Sequence, residues 1–163
     1  MRLAALSCND AESHKGWISD IETTSWCGGK AVDYPIVADP KRAVATAYGM
    51  LDPDEQEAPG LPMACRAIFV IKPDKTLALS ILYPASTGRN FDEVLRVIDS
   101  LQMTASHKVA TPVNWNKGDR CMVIPTLSTA EAQELFKATG GVEVLDVPSK
   151  KPYLRMTNDP KFG

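Results

Sequence analysis

Few side chains in these 163 residues are equipped for covalent or acid–base chemistry. The candidates are Cys8, Cys27, Cys65 and Cys121, with His14 and His107 as the only histidines. The cysteines are widely spaced and no two form a C-x-x-C pair. That pattern points away from a zinc site and a dense disulfide framework, and toward a reducing, cytoplasmic setting. No motif among these residues calls for a metal or an organic cofactor. Two arginines occupy marked positions: Arg66 opens an apolar run and Arg89 stands just before a helix start. On residue type alone, an arginine at the head of a buried strand is more often half of an ion pair. The cysteines read as ordinary small thiols. Cys65 adjoins Arg66, but neighbours along a strand point to opposite faces, so the guanidinium projects away from that thiol.

The elements that position these residues centre on Leu61 to Gln102. Ala67 to Ile71 is wholly apolar, as in a strand buried on both faces. Lys72-Pro73-Asp74-Lys75 has turn chemistry, and Asp74 reads there as a turn residue. Leu77, Leu79, Ile81 and Tyr83 then alternate with Ala78, Ser80 and Leu82, predicting a second strand over Thr76 to Tyr83. Asn90 caps a helix, with Glu93 three residues on in capping-box position. Phe91, Val94, Leu95, Ile98 and Leu101 form its apolar stripe. The unit is a hairpin covered by an amphipathic helix.

Upstream, Leu3 to Ser7 reads as a strand, and Asn9 or Asp10 caps a helix to about Thr23 with His14, Trp17, Ile18 and Ile21 on one side. Tyr34 to Ala38 is a further strand, and Asp39-Pro40 opens a helix to Tyr48 that Gly49 stops. The alternation predicts a parallel βαβα segment feeding the hairpin. Asp52 to Pro62, acidic and proline-rich, reads as a solvated connector. Downstream, Lys108 to Gly118 looks irregular, which puts a domain boundary near Thr104. Cys121 to Ile124 is a strand, Thr126 or Ser128 caps a helix through about Ala138, and Val142 to Val147 and Tyr153 to Met156 are strands. This tail has few large apolar residues and needs another surface, on its own core or on a partner subunit, to bury them.

The length suits one ordinary domain or a core with a small appendage. A formal charge of −2 gives no basic footprint for nucleic acid. No apolar run approaches a membrane span, and the apolar start of MRLAALSC is too short for a secretory signal core.

The strings SILYPASTGRNFDE, VATPVNW with GDRCMVIPT, and PSKKPYLR carry a resemblance. Over Leu3 to about Met156 the chain resembles the 1-Cys peroxiredoxins of the peroxiredoxin 6 type, in the AhpC/TSA family. The resemblance implies an α/β thioredoxin-like core over residues 1–104 and the small α+β C-terminal domain of 1-Cys peroxiredoxins over 105–163. It implies reduction of hydrogen peroxide and of organic or lipid hydroperoxides through a cysteine sulfenic acid, which an external thiol such as glutathione reduces. Arg66 matches the arginine that lowers the nucleophile's pKa and positions the peroxide. Arg89 matches a second arginine near the same pocket.

The family nucleophile sits in Pro-x-x-x-Thr/Ser-x-x-Cys at a helix start, and none of the four cysteines has that context. The chain alone is therefore expected to be inactive. The strand leading into that helix lies mid-sheet in the family, between the strands at Leu3 to Ser7 and Arg66 to Ile71. Its absence would leave an open seam, so the chain is expected to be a fragment, incomplete on its N-terminal side. Some relatives have a phospholipase A2 activity assigned to Ser-His-Asp. Only Asp74 has a counterpart here, so phospholipid contact has slight support. The edge strand Thr76 to Tyr83 and the resemblance both point to a homodimer. The rival reading is a non-catalytic dimerisation or interaction module of peroxiredoxin fold.

Overall fold

The computed structural model describes residues 1–24, 28–58 and 61–161. The chain forms two compact units, Met1–Ile71 with Leu79–Arg89, and Lys72–Ala78 with Asn90–Gly163.

In the first unit, β1 (Ala5–Ser7) pairs in parallel with β2 (Ile36–Ala38), Ala5 opposite Ile36 and Ser7 opposite Ala38. The helix α1 (Ala11–Thr23) lies between them in sequence, so the parallel βα start expected above is present. Asp10 caps α1 by accepting from Ser13 N at 2.8 Å, which satisfies one of the orphan donors of its first turn. Buried His14 places Nε2 3.0 Å from Ser7 Oγ and ties the helix to β1.

The helix expected over Asp39 to Tyr48 shortens to α2 (Ala43–Ala47). Arg42 adopts a left-handed φ of 55°, which ends helical continuity from Pro40. Buried Asp39 caps across this break, its Oδ2 accepting from Ala45 N at 2.8 Å. The Arg42 Nε donates to the Pro62 carbonyl at 2.9 Å.

The acidic stretch expected to be a connector instead pairs as an antiparallel hairpin of β3 (Leu51–Ala58) and β4 (Leu61–Ala64), with register irregularities at Asp52/Gln56 and Gln56/Ala58. A charged, proline-bearing sequence is tolerated in a two-stranded ribbon because its backbone can bulge where a donor is lacking.

Next, β5 (Arg66–Ile71) and β6 (Leu77–Tyr83) form another two-stranded sheet. Their turn closes with Lys72 N donating to the Thr76 carbonyl at 2.9 Å, and Lys75 takes φ 68°. The expected burial of β5 on both faces does not occur. Ala67 to Val70 are half-buried and Ile71 is 46% exposed, because among the described residues β5 has one paired neighbour.

In the second unit, β7 (Val109–Ala110), β8 (Cys121–Val123), β10 (Arg155–Thr157) and β9 (Glu143–Val144) form an antiparallel sheet in the order β7-β8-β10-β9. It packs with α3 (Phe91–Ser106) and α4 (Thr129–Leu135). Met103, Val109, Trp115, Cys121, Val123, Ala132, Phe136 and Val142 form the core.

The surface that the tail was expected to need is supplied by α3, through Met103. The buried side of α3 is not the expected stripe, since Phe91 is 60% and Leu95 54% exposed. Val97 and Met103 are buried instead. The row Val97, Ser100, Met103 is also a helical ridge, and polar bonds fix it. Ser100 Oγ lies 2.8 Å from Thr111 Oγ1, and Arg96 Nη1 donates to the Trp115 carbonyl at 2.9 Å. The boundary expected near Thr104 falls inside α3. Ser128 and Glu131 complete a reciprocal capping box on α4. At α3 only the Asn90 half forms, because Glu93 pairs with Arg96.

Candidate active site

Arg66 begins β5 because the run Arg66–Ile71 leaves its polar residue at the end, where a guanidinium reaches solvent. The side chain is exposed, and its Nε donates to the Ala85 carbonyl at 3.1 Å. Ala85 lies in the loop after β6, where a turn is closed by Thr87 N donating to the Pro84 carbonyl at 3.0 Å. The same loop carries Arg89, exposed and one residue before the Asn90 cap of α3. Arg66 is therefore fastened to the segment that bears Arg89. Among the described residues no carboxylate pairs with either guanidinium. The Arg66 charge is held by a neutral carbonyl and stays available to an anion or a developing negative charge.

The cysteines are placed differently. Cys65 is half-buried and lines an open cavity of about 330 Å³ with Met50, Leu51, Leu82, Tyr83 and Pro84. Arg66 does not line that cavity, and Cys65 falls between β4 and β5 rather than within either strand. Cys8 follows β1 and is half-buried. Cys121 is fully buried beside the Met103 sulfur at 3.9 Å. Burial, then the Asp159 charge, pushes its thiol up to about 11, which disfavours the thiolate a nucleophile needs. Cys27 lies outside the described residues.

Asp74 is a turn residue. Its Oδ1 accepts from Thr76 Oγ1 at 2.6 Å and Thr76 N at 2.9 Å, and the Thr76 hydroxyl holds its carboxyl below the usual range. His14 bonds Ser7, and His107 caps α3 with Nδ1 3.0 Å from Ser106 Oγ. No cluster of three His, Cys, Asp or Glu able to hold a metal occurs among the described residues. No helix there is long and apolar enough to cross a membrane.

The part sequence reasoning missed is the Pro84 to Thr87 turn that fastens Arg66. A side-chain bond spanning 19 residues has no local signature.

Residues 1–80 match the AhpC/TSA family and residues 100–139 match the C-terminal domain of 1-Cys peroxiredoxin. A 1-Cys peroxiredoxin of Dirofilaria immitis is 48% identical over 170 residues, spanning 99% of this chain and 72% of that protein. A Cys-to-Ser mutant of the peroxiredoxin 6 of Arenicola marina superposes with a TM-score of 0.90 at 55% identity, covering 98% of this chain and 71% of that one. A yeast mitochondrial 1-Cys peroxiredoxin, described with a thiol resolving mechanism via glutathione/thioredoxin systems, gives 0.81 at 40% identity, over 96% and 70%. The chain belongs to the 1-Cys peroxiredoxins of the AhpC/TSA family, thiol peroxidases of thioredoxin-like α/β fold.

Proposed function

We propose that this chain is the arginine-bearing part of a thiol peroxidase acting on hydrogen peroxide and on organic or lipid hydroperoxides. A thiolate attacks the terminal peroxide oxygen, the O–O bond breaks, and the sulfur becomes a sulfenic acid while water or an alcohol leaves. Two equivalents of an external thiol such as glutathione, a role supported by the yeast relative, return the sulfur to the thiol through a mixed disulfide, releasing water and the oxidised disulfide of the reductant. Arg66 holds the peroxide and stabilises the charge growing on the departing oxygen, and Arg89 assists. The observation that carries this reading is the Arg66 guanidinium, fixed through Nε to Ala85 and paired with no carboxylate among the described residues.

The nucleophile motif Pro-x-x-x-Thr/Ser-x-x-Cys has no counterpart among the 163 residues, so the chain by itself is expected to lack peroxidase turnover. We assign 1–104 to the thioredoxin-like core and 105–163 to the C-terminal domain, and place the protein in the cytoplasm. The partner is a second copy. Leu77 and Leu82 on β6 are 55% and 54% exposed, an apolar strand suited to pairing with its twin. Phospholipid contact has only Asp74 in its favour, and the turn accounts for Asp74.

A chimera tests the activity. The residues of the Dirofilaria protein outside its match are joined to this chain, and peroxide consumption is followed with dithiothreitol. Turnover that falls on the order of a hundredfold in Arg66→Ala supports the role. A folded Arg66→Ala chimera with undiminished turnover would overturn it.

A further inference from the structure

A second cavity, of about 220 Å³, opens where the end of α3 meets the end of α4 in the second unit. Neither Arg66 nor Arg89 lines it. Leu135, Phe136 and Pro160 give it apolar walls, and Leu135 is 53% exposed. The polar lining comes from Ser106, His107, Lys108 and Thr139, with no Asp or Glu among them. A histidine and a lysine at a helix C-terminus ordinarily cover its last carbonyls. Here other atoms already do so. Ser106 Oγ donates to the Gln102 carbonyl at 2.9 Å, and His107 N donates to the Met103 carbonyl at 2.9 Å. His107 Nδ1 lies 3.3 Å from the same Met103 carbonyl, which can only accept. Nδ1 therefore carries the hydrogen, and Nε2 is the uncommitted ring nitrogen. Thr139 Oγ1 is spent on the Phe136 carbonyl at 2.9 Å. Lys108 is exposed, and its amine meets no carboxylate among the described residues. The cavity thus combines apolar walls with an uncommitted cation.

We propose that this cavity is a binding site for a small aromatic carboxylate, its ring against Leu135, Phe136 and Pro160 and its carboxylate on the Lys108 amine. Size sets the scale of the ligand. An apolar cavity of roughly 150 Å³ takes up benzene, whereas drug-sized ligands fill about 300 Å³ or more. A single ring bearing one short polar group suits the space between those limits. A ring is favoured over a flexible chain because it covers the walls with few rotatable bonds to freeze, and it can meet Phe136 by edge or face. The sign of the charge follows from the lining. An anion gains Lys108 and meets no carboxylate, while a cation would meet only repulsion from Lys108. His107 adds a donor from Nε2 when its ring is charged. The inference is independent of the peroxidase reading, since no cysteine lines the cavity and neither arginine does.

The probe is benzoate, titrated into the full chain and followed by NMR. The proposal expects saturable shifts centred on His107, Lys108, Leu135 and Phe136, with a Kd on the order of a millimolar for so small a ligand. Benzamide keeps the ring and loses the charge, and acetate keeps the charge and loses the ring. Each should bind about tenfold more weakly than benzoate, or worse. Lys108→Gln should weaken benzoate binding by about fivefold. Leu135→Glu, which sets a carboxylate on the exposed wall, should abolish it. Both side chains are exposed, so both variants keep the fold, and unchanged amide protection at Val109, Met122 and Met156 verifies this. Benzamide binding as tightly as benzoate would overturn the proposal. So would shifts that fail to saturate, that centre elsewhere on the chain, or that neither substitution alters.

Discussion

Arg66 and Cys121 show how placement decides what a reactive side chain does. Arg66 keeps its charge available because a carbonyl, not a carboxylate, orients it. Cys121 is the opposite case, a thiol removed from water and faced by Asp159. Its pKa is about 11 in the folded chain against an ordinary value of 9.0, so the folded state holds this proton more tightly than the unfolded state. That contribution is complete below pH 9 and is lost as pH rises through about 11, at most about 3 kcal/mol for a two-unit difference. Urea unfolding of the second unit, followed from about pH 8 to 11, should therefore show falling stability that flattens in Cys121→Ala. Alkylation at neutral pH should modify Cys65 and Cys8 well before Cys121, and mass spectrometry of the labelled peptides checks this order.

At the scale of elements, α4 offers the cleanest test of local chemistry. Ser128 Oγ accepts from Glu131 N at 3.2 Å, and Glu131 Oε2 accepts from Ser128 N at 2.8 Å. Ser128→Ala should cost about 1 kcal/mol of second-unit stability, measurable as a lower urea midpoint. The Asn90 cap was legible in sequence, and the Ser128 and Asp10 caps were each one of two candidates there, because capping is set between neighbouring residues. Which face of α3 is buried was not legible. The stripe from Phe91 to Leu101 is more apolar, but Arg96 bonds the Trp115 carbonyl and Ser100 the Thr111 hydroxyl, partners 19 and 11 residues away. Trp115 itself fell in a stretch read as irregular, since proline, asparagine and glycine around it mask a core residue held by its Nε1 bond to the Asp119 carbonyl at 3.0 Å. The β3–β4 hairpin escaped notice because acidic residues and prolines argue against strands until backbone bulges accommodate them. The candidate site was half legible: the two arginines stood out by motif, and the bond from Arg66 to Ala85 did not.

For the whole molecule, burial is uneven, and stability should follow it. Trp115→Ala, emptying a side chain 1% exposed at the centre of the second core, should cost about 3–5 kcal/mol and unfold that unit at lower urea. A homodimer through β6 should appear in sedimentation at tens of micromolar, and Ser80→Pro should weaken it by removing an edge donor; a well-folded monomer of the unaltered chain would contradict that assembly. The central claim is that the chain holds the arginine part of a peroxide site without the thiol that does the chemistry. Peroxide consumption by the purified 163-residue chain, with dithiothreitol as reductant, addresses it most directly. The account predicts a rate no greater than that of buffer and dithiothreitol alone. Turnover comparable to an intact 1-Cys peroxiredoxin, abolished by Cys65→Ser, would contradict it.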